Sequence, residues 1–176
     1  MVTVDPTASL GIRSVYVTLG GVEYEMRGRS AADWIELLTT TDISAVIPGW
    51  LDEDDEDRIL DLLGQGKIAF TELEEAGHDV LSNAAGRPWW WALKLMAYAA
   101  SDIHRWSRVN GRLVMAGVDG QTIPLAAWVD AVYFQHIEHI DDPDERLKFQ
   151  ADMDMPPSIE HLDEEEESEA FLSMLG

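Results

Sequence analysis

Gly86-Arg87-Pro88-Trp89-Trp90-Trp91-Ala92-Leu93-Lys94-Leu95-Met96, written GRPWWWALKLM, is the stretch on which the fold turns. Pro88 suits the first turn of a helix, where its missing N–H is no loss. On a helix, neighbouring side chains point about 100° apart, so three consecutive tryptophans sweep roughly 200° of the circumference. A single core-facing stripe is narrower. At least one ring therefore faces either a second layer of the same fold or another molecule.

Downstream, WWWALKLMAYAASDIHRW reads as one long helix over 89–106, with Leu93, Met96, Ala100 and Ile103 on one face and Asn110-Gly111 as its break. RLVMAGV then gives a short apolar piece, and Asp119-Gly120 a turn. Pro124 opens a second long helix, PLAAWVDAVYFQHIEHI, with Leu125, Trp128, Val129, Val132, His136 and Ile140 at helical spacing. DDPDERLKFQADMDM forms a last helix, and Pro156-Pro157 stops it.

Upstream, RSVYVTLGGVEYEMRG alternates: Val15 and Val17 share a face, as do Val22, Tyr24 and Met26, and Gly20-Gly21 lies between the two runs. That is a β-hairpin with a glycine turn. Two strands alone are marginal, so the hairpin leans on helices. Ser30 with Asp33 signals a helix start before Ala31, Trp34, Ile35 and Leu38, and Thr71 with Glu74 predicts a second capping box. LDEDDEDRILDLLGQG predicts a helix with an acidic first turn, favoured by the helix dipole, an apolar side at Ile59, Leu60, Leu62 and Leu63, and an end at Gly64 or Gly66. The fold class is mainly α: an N-terminal β-hairpin packed on a helical core, with an acidic flexible C-terminal tail. Residues 1–11 form a lead-in, 12–157 the domain and 158–176 the tail.

Charge narrows the function. The 176 residues hold 34 Asp+Glu against 12 Lys+Arg, a net charge of −22. Such a chain repels nucleic acid and anionic membranes and is attracted to basic partner surfaces. Half of this net charge, −11, falls between Asp141 and Gly176. The run SIEHLDEEEESEAFLSMLG repels itself and is expected to be mobile when free, with Phe171, Leu172, Met174 and Leu175 as a docking segment. Its removal is expected to leave the domain folded. Cysteine is absent, which excludes disulfides and thiolate chemistry and suits a reducing cytoplasm. Neither a signal peptide nor an apolar run of about 18 residues is present.

Chemistry-bearing motifs are scarce. His136 and His139 lie three apart near Glu138, Asp141 and Asp142, at a spacing that permits zinc, but no motif fixes a third ligand. The plainer reading is one half-buried and one exposed histidine near a helix end, where imidazolium is favoured. LDEDDEDRILDLL lacks the central glycine and the twelfth-position glutamate of a calcium loop. No nucleophile elbow, P-loop or dinucleotide fingerprint occurs. The reading is non-enzymatic, with no cofactor and no metal. Of the seven tryptophans, most read as core. Trp89, Trp90, Trp91 and Trp106 are the candidates for a partner-binding face, where tryptophan is enriched. Arg87 and Lys94 are placed to stack over such rings.

Three pieces in order, GRPWWWAL, NGRLVMAGVD and PLAAWVDAVY, together with the acidic end after MDMPP, resemble the tail assembly chaperones of long-tailed phages infecting actinobacteria. The resemblance covers roughly residues 86–157, and the N-terminal hairpin region more loosely. It implies a non-catalytic protein that binds the tape measure protein in the host cytoplasm and keeps it soluble and competent to receive tube subunits of the major tail protein. It further implies absence from the finished virion, and a shorter product whose longer counterpart arises by translational frameshift. A homo-oligomer is compatible with it. Three other classes compete: a DNA-mimic inhibitor, a structural tail or head completion protein, and a metal-dependent enzyme using His136 and His139. Mimicry needs carboxylates spread over one rigid surface, whereas half of the net charge here lies in the last fifth of the chain.

Overall fold

The alternation around Gly20-Gly21 builds an antiparallel hairpin, β1 (Val15–Leu19) and β2 (Val22–Met26), with Leu19 opposite Val22 and Val15 opposite Met26. Both turn glycines have positive φ, 56° and 78°, as a two-residue type I′ turn demands. Val17, Leu19, Tyr24 and Met26 are buried, while Tyr16, Thr18, Glu23 and Glu25 face outward. A computed structural model describes residues 14–40, 43, 46–101, 103–120 and 122–157. The expected lead-in at 1–11 and tail at 158–176 lie outside the described residues.

The hairpin feeds α1 (Ala31–Thr40) through a reciprocal cap. The Ser30 N–H donates to Asp33 Oδ2 at 2.9 Å, and the Asp33 N–H donates to Ser30 Oγ at 3.3 Å. Ala31, Trp34 and Leu37 turn inward from it. Trp34 packs 4.0 Å from Trp50, which ends a short 3-10 turn at Pro48–Trp50. The Trp50 indole donates to the Arg27 carbonyl at 2.6 Å, tying that turn back to the hairpin exit.

α2 (Glu53–Gly64) starts at Asp52, whose carboxylate accepts from the Asp55 N–H, and carries four acidic residues in its first turn. Its end is a Schellman motif: Gly66 has φ +64°, and the Lys67 N–H reaches the Leu62 carbonyl at 2.9 Å. Ile59 is its buried residue, with Leu60, Leu62 and Leu63 half-buried. α3 (Phe70–Ala85) corrects one expectation. Its N-cap is Ala69, with no side-chain bond, so Thr71 is already inside the helix and Thr71–Glu74 is not a capping box at its start. Gly86, φ +64°, terminates it.

The helix expected over 89–106 is two helices. α4 (Trp89–Ala100) stops at Ser101, and α5 (Ile103–Met115) then runs through Asn110-Gly111 without a break. Both residues are exposed, and a Cβ on Gly111 would meet nothing within 4 Å. The backbone there stays helical at a cost of about 1 kcal/mol for glycine. The reversal falls instead at Gly117, φ +73°, where the Val118 N–H bonds to the Leu113 carbonyl at 2.8 Å. On α4 the buried set is Trp91, Ala92, Leu95, Met96 and Ala99. Of the face expected from sequence, Met96 is buried, Leu93 is half-buried and Ala100 is exposed.

α6 (Leu125–Glu138) follows Pro124 and buries Leu125, Trp128, Val129 and Val132, with His136 and Ile140 half-buried beyond them. α7 (Pro143–Asp154) is capped by Asp142 and stops before Pro156-Pro157. The molecule is mainly helical, with the hairpin against α3 and with α4 packed among α3, α5, α6 and α7. No helix among the described residues is long and apolar enough to cross a membrane.

Candidate functional site

The tryptophan triplet resolves into three partners within the chain. Trp91 points into the core, 7% exposed, with its ring 5.1 Å from Tyr133 of α6. Trp89 stacks on His78 of α3 at 3.8 Å with an interplanar angle of 15°. Trp90 is half-buried, meets Trp89 edge-on, and its indole N–H donates to the Met153 carbonyl of α7 at 2.9 Å. The wide sweep of the triplet thus matches a helix wrapped on three sides by its own fold.

Supporting groups hold these rings. Ser82 of α3 accepts the Trp89 N–H at 2.9 Å, capping α4 from a neighbouring helix, a role no sequence signal gave it. Arg87 lies over Trp91 at 4.6 Å, and its Nε and Nη2 both donate to Asp130 Oδ1, at 2.9 and 2.7 Å. Lys94 does not stack on a ring of the triplet. Its ammonium donates to the carbonyls of Asp152 and Met155, at the C-terminal end of α7, where cations are favoured.

Trp106 has a different setting. It is half-buried, 6.1 Å from Trp128, and forms a wall of an open apolar groove between α1 and α5. Ile35 and Ala32 supply the α1 side, Val109 and Leu113 the α5 side, and Trp128 of α6 is part of the lining. Glu36 and Asn110 are its polar groups. The groove holds about 280 Å³, at the lower edge of the ~300–1,000 Å³ typical of enclosed small-molecule sites. Trp106 to Leu113 spans two turns of α5, about 10 Å. A groove this long and open fits side chains projecting from one face of a helix, at i, i+3/i+4 and i+7.

On the other side of α5, aromatic and cationic groups meet. Arg105 sits 4.3 Å over the Tyr98 ring, His136 packs 4.1 Å from Tyr98, and Phe149 of α7 closes on His136 at 4.3 Å. Burial holds the His136 imidazole below its ordinary value of 6.5, and the charges of Arg105 and His139 push in the same direction. His139 Nδ1 lies 2.7 Å from the Gln135 carbonyl. Among the described residues no group of three or more His, Cys, Asp or Glu is placed to hold a metal ion.

Of the candidates named from sequence, Trp106 lines the groove. Trp89, Trp90 and Trp91 are engaged by α3, α7 and α6. Phe171, Leu172, Met174 and Leu175 lie outside the described residues. The sequence reading missed exposed Val114 and Met115, 64% and 90% accessible, at the end of α5. Reading RLVMAGV as a separate piece removed them from the helix that presents them. No family model matches the chain, and no curated protein or solved structure matches it.

Proposed function

We propose that this protein is a non-catalytic assembly chaperone that binds amphipathic helical segments of a larger partner. Following the resemblance in its sequence, that partner is a phage tape measure protein, bound in the host cytoplasm and released before the particle is complete. The observation that carries the reading is the open groove between α1 and α5, walled by Trp106 and Trp128 and lined by Ile35, Val109 and Leu113. A tape measure segment is long, helical and apolar along one face, and aggregates if that face stays bare. Two turns of groove take two or three of its apolar side chains, each contributing about 1.5–3 kcal/mol when fully buried. The −22 net charge keeps the covered complex dispersed and attracts basic residues flanking such a stripe.

Co-expression with the neighbouring long helical protein of the same genome, followed by pull-down and sedimentation, tests this. The native chain is expected to hold the partner in the supernatant. Trp106→Ala is expected to weaken the complex about 30-fold, the loss of a ~2 kcal/mol anchor, with the far-UV spectrum unchanged. A partner that stays insoluble without complex formation, or a complex indifferent to Trp106→Ala, overturns the reading.

A further inference from the structure

A second surface carries an inference independent of the groove. Residues 86–117 hold Arg87, Lys94, Arg105, Arg108 and Arg112 against Asp102 alone, in a chain whose net charge is −22. Within that segment, the sequence of α5 contains no acidic residue. Arg105, Arg108 and Arg112 recur at helical spacing and form one stripe along α5. Arg105 lies over Tyr98, Arg108 makes no ion pair among the described residues, and Arg112 pairs with Glu138 at 2.7 Å in a solvent-exposed bridge. In line with the stripe, at the end of α5, lies Met115, 90% exposed. Read from N- to C-terminus, α5 therefore presents cations and then an apolar side chain.

The C-terminal segment carries the complementary order. Glu160, Asp163 through Glu167 and Glu169 come first, with no Lys or Arg among residues 158–176, and Phe171, Leu172, Met174 and Leu175 follow. It also leaves the domain beside the stripe. The Lys94 ammonium donates to the Met155 carbonyl at 3.0 Å, and Tyr98, which carries Arg105, is one turn of α4 further on, a rise of about 6 Å. Arg105 to Met115 spans about 15 Å of helix. The 14-residue separation of Pro157 from Phe171 reaches ~46 Å when extended, more than that path requires.

We propose that residues 160–175 of the same chain dock along α5, with carboxylates on the Arg105–Arg108–Arg112 stripe and the Phe171–Leu175 cluster on Met115. An acidic run that repels itself in isolation finds its countercharge there. The docked segment covers two apolar patches at once, one of the tail and one of the domain.

The absence of cysteine allows a single nitroxide at Ser173→Cys in the full chain, with broadening of amide NMR signals as the readout. Signals from Arg108 to Met115 are expected to broaden equally at all protein concentrations. The broadening should weaken near 1 M salt, where the Debye length is about 3 Å. Arg108→Glu and Met115→Ser, both at exposed positions, should each relieve it without changing the far-UV spectrum. Unbroadened α5 signals in the parent protein overturn the proposal. So does broadening that grows with concentration, the sign of a second copy's tail, or broadening that survives Arg108→Glu.

Discussion

Trp90→Ala tests whether the triplet is architecture. From sequence, an outward-facing Trp90 would be expected to weaken partner binding more than folding when truncated. The contact of its indole with the Met153 carbonyl leads to the opposite expectation, in which Trp90 acts as a latch for α7. Truncating a fully buried Trp or Phe to Ala costs about 3–5 kcal/mol. Trp90 is half-buried, so about 2 kcal/mol is the share from packing. Losing the indole bond to the Met153 carbonyl adds about 1 kcal/mol. The sum, about 3 kcal/mol, corresponds to a fall in Tm of roughly 6–12 °C for a chain of this size. Urea unfolding measures the total, and amide hydrogen exchange locates it: α7 is expected to lose protection before α3 does. Trp90→Phe keeps most of the packing and drops the bond, so its loss should be about 1 kcal/mol. A loss below about 0.5 kcal/mol for Trp90→Ala, the range of an ordinary surface change, would refute the latch and return the ring to the candidates for partner contact.

Further outcomes follow from single positions. Tyr24 buries its hydroxyl with no hydrogen-bond partner among the described residues, so Tyr24→Phe should raise stability by about 1 kcal/mol; a loss of that size in urea would reveal a bond to the hydroxyl. Gly77 lies inside α3, yet a Cβ there would stand 2.6 Å from the Ile43 carbonyl oxygen. Gly77→Ala should therefore lower the urea midpoint: crowding of about 1–3 kcal/mol outweighs a helix-propensity gain of about 1, and a rise in midpoint would contradict the close approach. His136 has its folded-state value held below 6.5, chiefly by burial. Its contribution to stability is thus present above that unfolded value and is lost as pH falls through the lower folded one. An NMR titration should place its midpoint below 6.5, and a midpoint at or above that value would reject the burial argument.

How much of this was legible in sequence depended on how many neighbours an element has. The hairpin could be read because it packs on one face, so its alternation survives, and because Gly20-Gly21 supplies the positive φ its turn requires. α1 was readable from its Ser30–Asp33 cap. The face of α4 was misplaced: its buried stripe is Trp91, Ala92, Leu95, Met96 and Ala99, and the half-buried Trp89, Trp90 and Leu93 beside it, engaged by neighbouring helices, blur its edge in the sequence. The α4–α5 junction was hidden for a different reason. No glycine or proline marks Ser101, while the conspicuous Asn110-Gly111 sits on an exposed helical surface that tolerates it. The groove depends on juxtaposing Ile35 with Trp106 and Leu113, and no local pattern encodes that pairing.

One contact sets the order of events during synthesis. The Ala31 N–H donates to the Ile123 carbonyl at 2.8 Å, and Ser30 bridges Pro124, so the start of α1 is fastened to the entry of α6. This fastening joins the α1 wall of the groove to α6, whose Trp128 is part of the lining, across more than ninety residues of intervening chain. A nascent chain still lacking α6 has no finished groove to offer. At ~5–20 residues per second, several seconds separate the emergence of α1 from that of α6. The groove is therefore completed late in translation, and a polypeptide terminated before Pro124 would carry α1 and α5 yet lack the clasp between the start of α1 and the entry of α6.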